Sequence, residues 1–193
     1  MPLEQIIRGN IEALDQGIEL VGNVTDEQYT KIVTPYASSS MGAHFRHILD
    51  MFHALKNSYQ TATSVVNTDA LTVVDYDYRR RGAAVEDQRT VALDELKEIK
   101  SWMRVLGKNL STFGNVGVRI KTEVTLQDTQ SVELDSSIFR ELIFISSHAV
   151  HHYALITVIA KLQNISVNDS IGLAPATVSY LRDLNKPDLA ASE

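Results

Sequence analysis

The strongest constraint in this sequence is a hydrophobic rhythm of four and three that recurs in four separate stretches. Ile7, Ile11, Leu14, Ile18 and Val21 make the first series, and Met41, Phe45, Ile48, Phe52, Leu55 and Tyr59 the second. Leu96, Ile99, Met103, Leu106 and Leu110 make the third. Ile138, Leu142, Ile145, Ala149, His152, Ile156 and Ile159 make the fourth. Residues at this spacing share one face of an α-helix, so each stretch is expected to bury a stripe. Four such helices of about 20 residues each predict an all-α fold, an up-down-down-up or similar four-helix bundle packed at small crossing angles. The chain of 193 residues is long enough to bury a full core, and a single domain over 1–193 is expected.

The punctuation fits these helices. Gly22-Asn23 is a stop signal after the first, and Thr25-Asp26-Glu27 starts a short turn of helix leading to Tyr29. Ser38-Ser39-Ser40 offers N-caps for the second, and the fourth starts near Asp135 or Ser136. Two connections are long, which in a compact domain often signals function. Residues 60–85 contain Leu71-Thr-Val-Val74 and then Asp75-Tyr-Asp-Tyr-Arg-Arg-Arg-Gly82. Residues 111–135 contain Val116–Val124 and Ser131–Leu134 around Gln127-Asp128-Thr129, which reads as a small β-hairpin insertion. A short helix is expected around Thr177 to Leu184.

Composition narrows function. With 18 basic against 24 acidic residues the net charge is −6, which repels nucleic acid and anionic membranes, so neither is an expected partner. The sequence has no cysteine, which removes disulfides, thiolate ligands and Cys nucleophiles together. The opening MPLEQIIRGNIEALDQ carries acidic residues in its first turns rather than the pattern of a signal peptide. No apolar stretch is read as approaching the length of about 18 residues needed to span a membrane. A cytoplasmic location is the resulting expectation.

The six histidines fall into two clusters. His44, His47 and His53 lie on the second helix, and His148, His151 and His152 on the fourth. Side chains four apart on a helix sit one turn apart on the same face, so His148 and His152 can share one metal ion. The second helix is the other source of imidazole. His152 occupies a slot in the apolar series, and a histidine facing the interior needs a hydrogen bond or a metal. Periodicity leaves His44 and His47 as rivals for the third ligand, because His44 projects nearer the apolar stripe. His53 lies on the opposite side and is expected to be exposed. Three neutral imidazoles with remaining positions open make a catalytic type of site rather than a closed structural one.

Ser40-Met-Gly-Ala-His-Phe-Arg-His-Ile-Leu-Asp50 together with Ser147-His-Ala-Val-His-His-Tyr-Ala-Leu-Ile156 resembles the DinB-like superfamily of bacterial four-helix-bundle proteins. The resemblance covers nearly the whole chain. It implies that the third ligand is His47, which precedes Ile48, Leu49 and Asp50, and that His47, His148 and His152 hold one divalent ion that is nickel, zinc or iron-like. His44 and His151 then become candidates that touch a ligand imidazole or the substrate. The resemblance also implies a metal-dependent enzyme that activates a thiol or water against a small electrophile, as a thiol S-transferase or hydrolase. Some relatives use the low-molecular-weight thiols bacillithiol, mycothiol or glutathione. The opposing reading is a non-catalytic bundle whose histidines serve structure or a partner.

Further candidates come from the residues themselves. Glu141, seven residues before His148, is placed to orient a ligand imidazole or act as a base, and Asp50, three after His47, to orient one. Tyr76, Arg79 and Arg81 put aromatic and cationic groups on a long connection where they can bind an anionic substrate. Trp102 and Met103 are expected in the core or at a dimer face, and a homodimer is expected by analogy with such bundles.

Overall fold

A computed structural model describes residues 2–64 and 71–184. The helices are α1 (Pro2–Gly22), α2 (Asp26–Thr30), α3 (Met41–Ser64), α4 (Arg89–Phe113), α5 (Ile138–Leu162) and α6 (Pro175–Leu184). The strands are β1 (Val73–Asp75), β2 (Gly117–Glu123) and β3 (Ser131–Ser137), and Ala84–Glu86 forms a turn of 3-10 helix. Part of the long connection after α3, residues 65–70, lies outside the described residues, as does the chain after Leu184.

The all-α four-helix bundle is therefore corrected. Among the described residues, six helices accompany a three-stranded mixed sheet in the order β1-β2-β3. The β2–β3 hairpin falls where alternation places it, with Gly117 opposite Ser137 and Glu123 opposite Ser131. The strand that periodicity misses is β1, which joins β2 in parallel with Val73 beside Arg119 and Asp75 beside Lys121. Three residues are too short a run to show an alternating pattern, and a parallel partner more than forty residues away leaves no local signal. Nor is the sheet a peripheral insertion. Val74, Val118 and Ile120 are buried in the same core as the helices.

The helix stripes place that core. Every apolar residue of the α3 and α4 series is buried. On α1, Leu14 and Val21 of the series are buried together with Asn10, Ala13, Gly17 and Leu20, while Ile7, Ile11 and Ile18 are partly covered. Small residues explain the difference. A Cβ on Gly17 would meet the Tyr153 hydroxyl at 2.5 Å, so the backbone of α1 comes right against α5. α1 packs on α4 and α5, and α3 packs on α5 and α4.

Caps set the helix starts that matter for the site. Ser40 Oγ accepts from the Ala43 amide at 3.2 Å at the head of α3. Ser137 ends β3 and caps α5, accepting from the Arg140 amide, so strand and helix join without a loop. Thr25 and Gln28 form a capping box on α2. The expectation about apolar stretches also needs correction. α5 is long and apolar enough to cross a membrane by length and composition alone. Its interspersed histidines and serines hide this from a count of uninterrupted apolar residues. In the fold, α5 packs its Ile138, Leu142, Ile145, Ala149, Tyr153 and Ile156 into the core.

Candidate metal centre

α3 and α5 lie side by side and bring three imidazoles to one point. The Nε2 atoms of His148 and His152, one turn apart on α5, are 3.1 Å from each other. His47 on α3 sets its Nε2 2.8 Å from that of His148. One ligand atom from each of the three lies within 4.8 Å of the others, so the group can hold a metal ion. Metal–nitrogen bonds of 2.0–2.1 Å in a tetrahedral site separate ligand nitrogens by about 3.3 Å. The observed spacings are a few tenths of an ångström shorter, which small rotamer adjustments accommodate.

The electrostatics favour neutral rings. His152 is pushed down to about 3, by burial first and then by the neighbouring imidazoles. His47 is pushed down to about 4, again by burial first, with the charge of Arg79 next. His148 and His44 are lowered too, by burial and then by His151. A neutral imidazole is the form that binds a metal.

His44 sits beside the three rather than among their converging atoms. Its Nδ1 is 3.0 Å from Nδ1 of His152, on the far side of that ring from the Nε2 that faces His148. When His152 donates in this bond, its Nε2 lone pair is directed at the common centre. His151 is exposed and faces a groove between α1 and the stretch before α6, although its ring centroid is only 5.4 Å from that of His152. His53, expected to be exposed, is half-buried and lies 2.9 Å from Glu95.

The carboxylates are committed elsewhere. Asp50 accepts from Arg80 Nε at 2.6 Å and from the Arg80 amide at 3.1 Å, and no imidazole bonds to it among the described residues. Arg80 also forks onto Glu95 at 2.8 and 3.1 Å. Burial opposes the charge on Glu95, but the hydrogen bonds from His53 and Arg80 hold its carboxyl down at about 2. This clasp ties the segment after β1 to both α3 and α4. Glu141 is wholly buried and accepts from the Tyr76 hydroxyl at 2.8 Å, Ser136 Oγ at 2.5 Å and Arg140 at 2.7 Å. It orients Tyr76 rather than a ligand imidazole.

A cleft of about 280 Å³ opens beside His47 and His148. Tyr76 and Arg79 line it, whereas Arg81 is exposed and outside it. Its remaining walls include Met51, Phe144 and Arg140 from the helices and Ile120, Thr122 and Leu134 from the sheet. Sequence reasoning missed these. The helical ones had a signal, because Met51 is four after His47 and Phe144 and Arg140 are four and eight before His148. The sheet residues had none without the β1–β2 pairing.

No family model matches the chain, and no solved structure matches it. FK506-binding protein 5 of Rhizopus delemar is 30% identical over 112 residues, which cover 58% of this chain and 28% of that protein. The match thus spans just over a quarter of the length of this curated relative.

Proposed function

We propose that His47, His148 and His152 hold one divalent ion, nickel, zinc or iron-like, in an enzyme of the DinB-like superfamily that activates a thiol or water against a small electrophile. The observation that carries this reading is the convergence of three half-buried imidazoles from two helices at the wall of a cleft. An all-imidazole set does not choose among these metals. Three nitrogen ligands leave a coordination position open, as catalytic rather than structural sites do. When bound, such an ion supplies Lewis acidity that converts a thiol or water into its conjugate base near neutral pH.

The chain's own residues do the rest. Burial keeps the three imidazoles neutral, and His44 fixes the ring of His152 through its Nδ1. Burial, reinforced by Glu141, raises Tyr76 well above the usual phenol range, so its hydroxyl stays protonated and serves as a hydrogen-bonding group, not a base. Met51, Ile120 and Phe144 present apolar surface that displaces water from the space next to the imidazoles. The name of the Rhizopus relative refers to FK506 binding by a protein of which the matched stretch is just over a quarter, too small a share to bring that ligand to this chain.

The test is elemental analysis of the purified protein, followed by a thiol-transfer and hydrolysis screen on the metal-loaded form. Bound metal, lost in His148→Ala, together with turnover in the screen is the expected result. A protein that purifies without metal, and whose zinc and nickel affinities are unchanged in His148→Ala, would sink the reading. A coordination sphere closed to exchangeable water would leave a structural metal in place of a catalytic one.

A further inference from the structure

Arg79 is a half-buried cation that bonds to no carboxylate among the described residues, although the charges of Asp50 and Asp77 reach it. Three nearby arginines are ion-paired: Arg80 with Asp50 and Glu95, Arg46 with Glu86 and Arg140 with Glu141. Arg79 instead donates through Nη1 to the carbonyl oxygens of Tyr76 and Tyr78. Its Nε and Nη2 have no acceptor among the described residues. Those two atoms form the side-on edge of a guanidinium, whose parallel donors match the two oxygens of a carboxylate.

The position of that edge gives it meaning. The clasp of Arg80 on Asp50 and Glu95 fixes the backbone on one side of the segment, and Arg79 lines the cleft with His47 and His148. The cleft is also lined by the apolar side chains of Phe144, Ile120, Leu134 and Met51. Arg140 stacks over the Phe144 ring at 5.1 Å, with its charge already matched by Glu141. At about 280 Å³ the cleft lies just below the usual range for ligand pockets, so its occupant is small.

We propose that the cleft binds a small carboxylic acid, its carboxylate on the Nε–Nη2 edge of Arg79 and its apolar body against Phe144, Ile120 and Met51. As a statement about the substrate it rests on the metal-enzyme reading, but the binding itself does not need the metal. One carboxylate-shaped donor edge, on a residue that lines a cleft with several apolar side chains, fits a singly charged acid with an apolar body better than inorganic phosphate.

The experiment titrates phenylacetate, 2-phenylethanol and inorganic phosphate calorimetrically into the wild-type chain and Arg79→Gln, each zinc-loaded and zinc-free. The zinc-free wild type is expected to prefer the acid over the alcohol by at least about tenfold, the effect of a charged hydrogen-bonded pair. Arg79→Gln should erase that preference while zinc affinity, followed by chelator competition, is kept or rises as a positive neighbour is removed. Should Arg79→Gln fail to fold, Arg79→Lys keeps the charge without the fork and should shrink the preference severalfold. Equal binding of acid and alcohol to the wild type overturns the proposal, as does a preference that survives in the folded variant. Phosphate outcompeting phenylacetate overturns the carboxylate assignment. A preference for the acid in a chain that does not bind zinc supports this proposal and sinks the metal reading alone. Intact zinc binding without that preference does the reverse.

Discussion

Nδ1 of His44 lies 3.0 Å from Nδ1 of His152, so the second imidazole of the α5 pair is held from α3 on the side away from the nitrogen that faces His148. Partners of this kind fix tautomer and ring orientation, and their loss typically lowers metal affinity about 10–100-fold without abolishing it. His44→Ala is expected to fall in that window in a zinc competition titration, and His148→Ala to fall much further. Equal losses in the two variants would make His44 a ligand, and no loss would reduce it to packing.

Proton release gives an independent reading of the centre. Three unperturbed imidazoles at pH 6 would release about 2.3 protons on binding a metal, since each is roughly three-quarters protonated there. His47 and His152, at about 4 and about 3 in the fold, contribute almost none. Calorimetry in buffers of different ionisation enthalpy at pH 6 should therefore find fewer than one proton released. The same shifts fix the pH dependence of metal-free stability. Unfolded imidazoles take up protons below about 6.5, whereas the folded ones do so only near 4 and 3, so stability is full above about 6.5 and falls as pH drops towards those values. A urea midpoint that rises as the pH is lowered from 7 to 5 would contradict the burial of these rings.

How much of this was legible in the sequence follows from the range of each signal. The α3 and α4 cores were visible because a helix repeats its burial every three to four residues, and the His148–His152 pair because four residues is one turn. The choice between His44 and His47 was not, since both lie within one turn of α3 and only the packing of α5 separates them. The α1 face was read only in part: Leu14 and Val21 are buried as expected, but Ala13 and Gly17 belong to it by being small, and periodicity looks for large side chains. β1, the Arg80–Asp50 pair and the Tyr76–Glu141 bond rest on pairings of residues 30 to 65 apart, for which a single sequence carries no pattern.

The Tyr76–Glu141 hydrogen bond is buried, and each partner depends on the other. Tyr76→Phe removes a donor from a carboxylate that has no access to water, which costs about 1.5–3 kcal/mol for a bond to a charged group. The loss should appear as a lower urea midpoint with an unchanged m-value. Because Tyr76 also borders the cleft while the ligand imidazoles do not touch Glu141, zinc affinity should stay close to that of the wild type. A large drop in zinc affinity would instead make Glu141 a direct support of the metal centre.

At Gly42, α3 passes close to another part of the backbone. A Cβ there would lie 1.9 Å from the Glu86 carbonyl oxygen and 2.8 Å from Cε1 of Tyr29. Neither neighbour is free to retreat. Tyr29 donates to the Val85 carbonyl at 2.7 Å, and Glu86 holds Arg46 at 2.5 Å. Gly42→Ala should therefore cost about 1–3 kcal/mol or more as overpacking against backbone. It should also weaken metal binding, because the strain falls at the turn of α3 that carries His44 and His47. Gly9→Ala on α1 is the matched control, with nothing within 4 Å of its added methyl, and should gain about 0.5–1 kcal/mol from helix propensity. Paired urea denaturation and zinc competition on the two variants separate the effects, and a Gly42→Ala chain as stable as wild type would show that the 3-10 turn at Ala84–Glu86 does not brace α3.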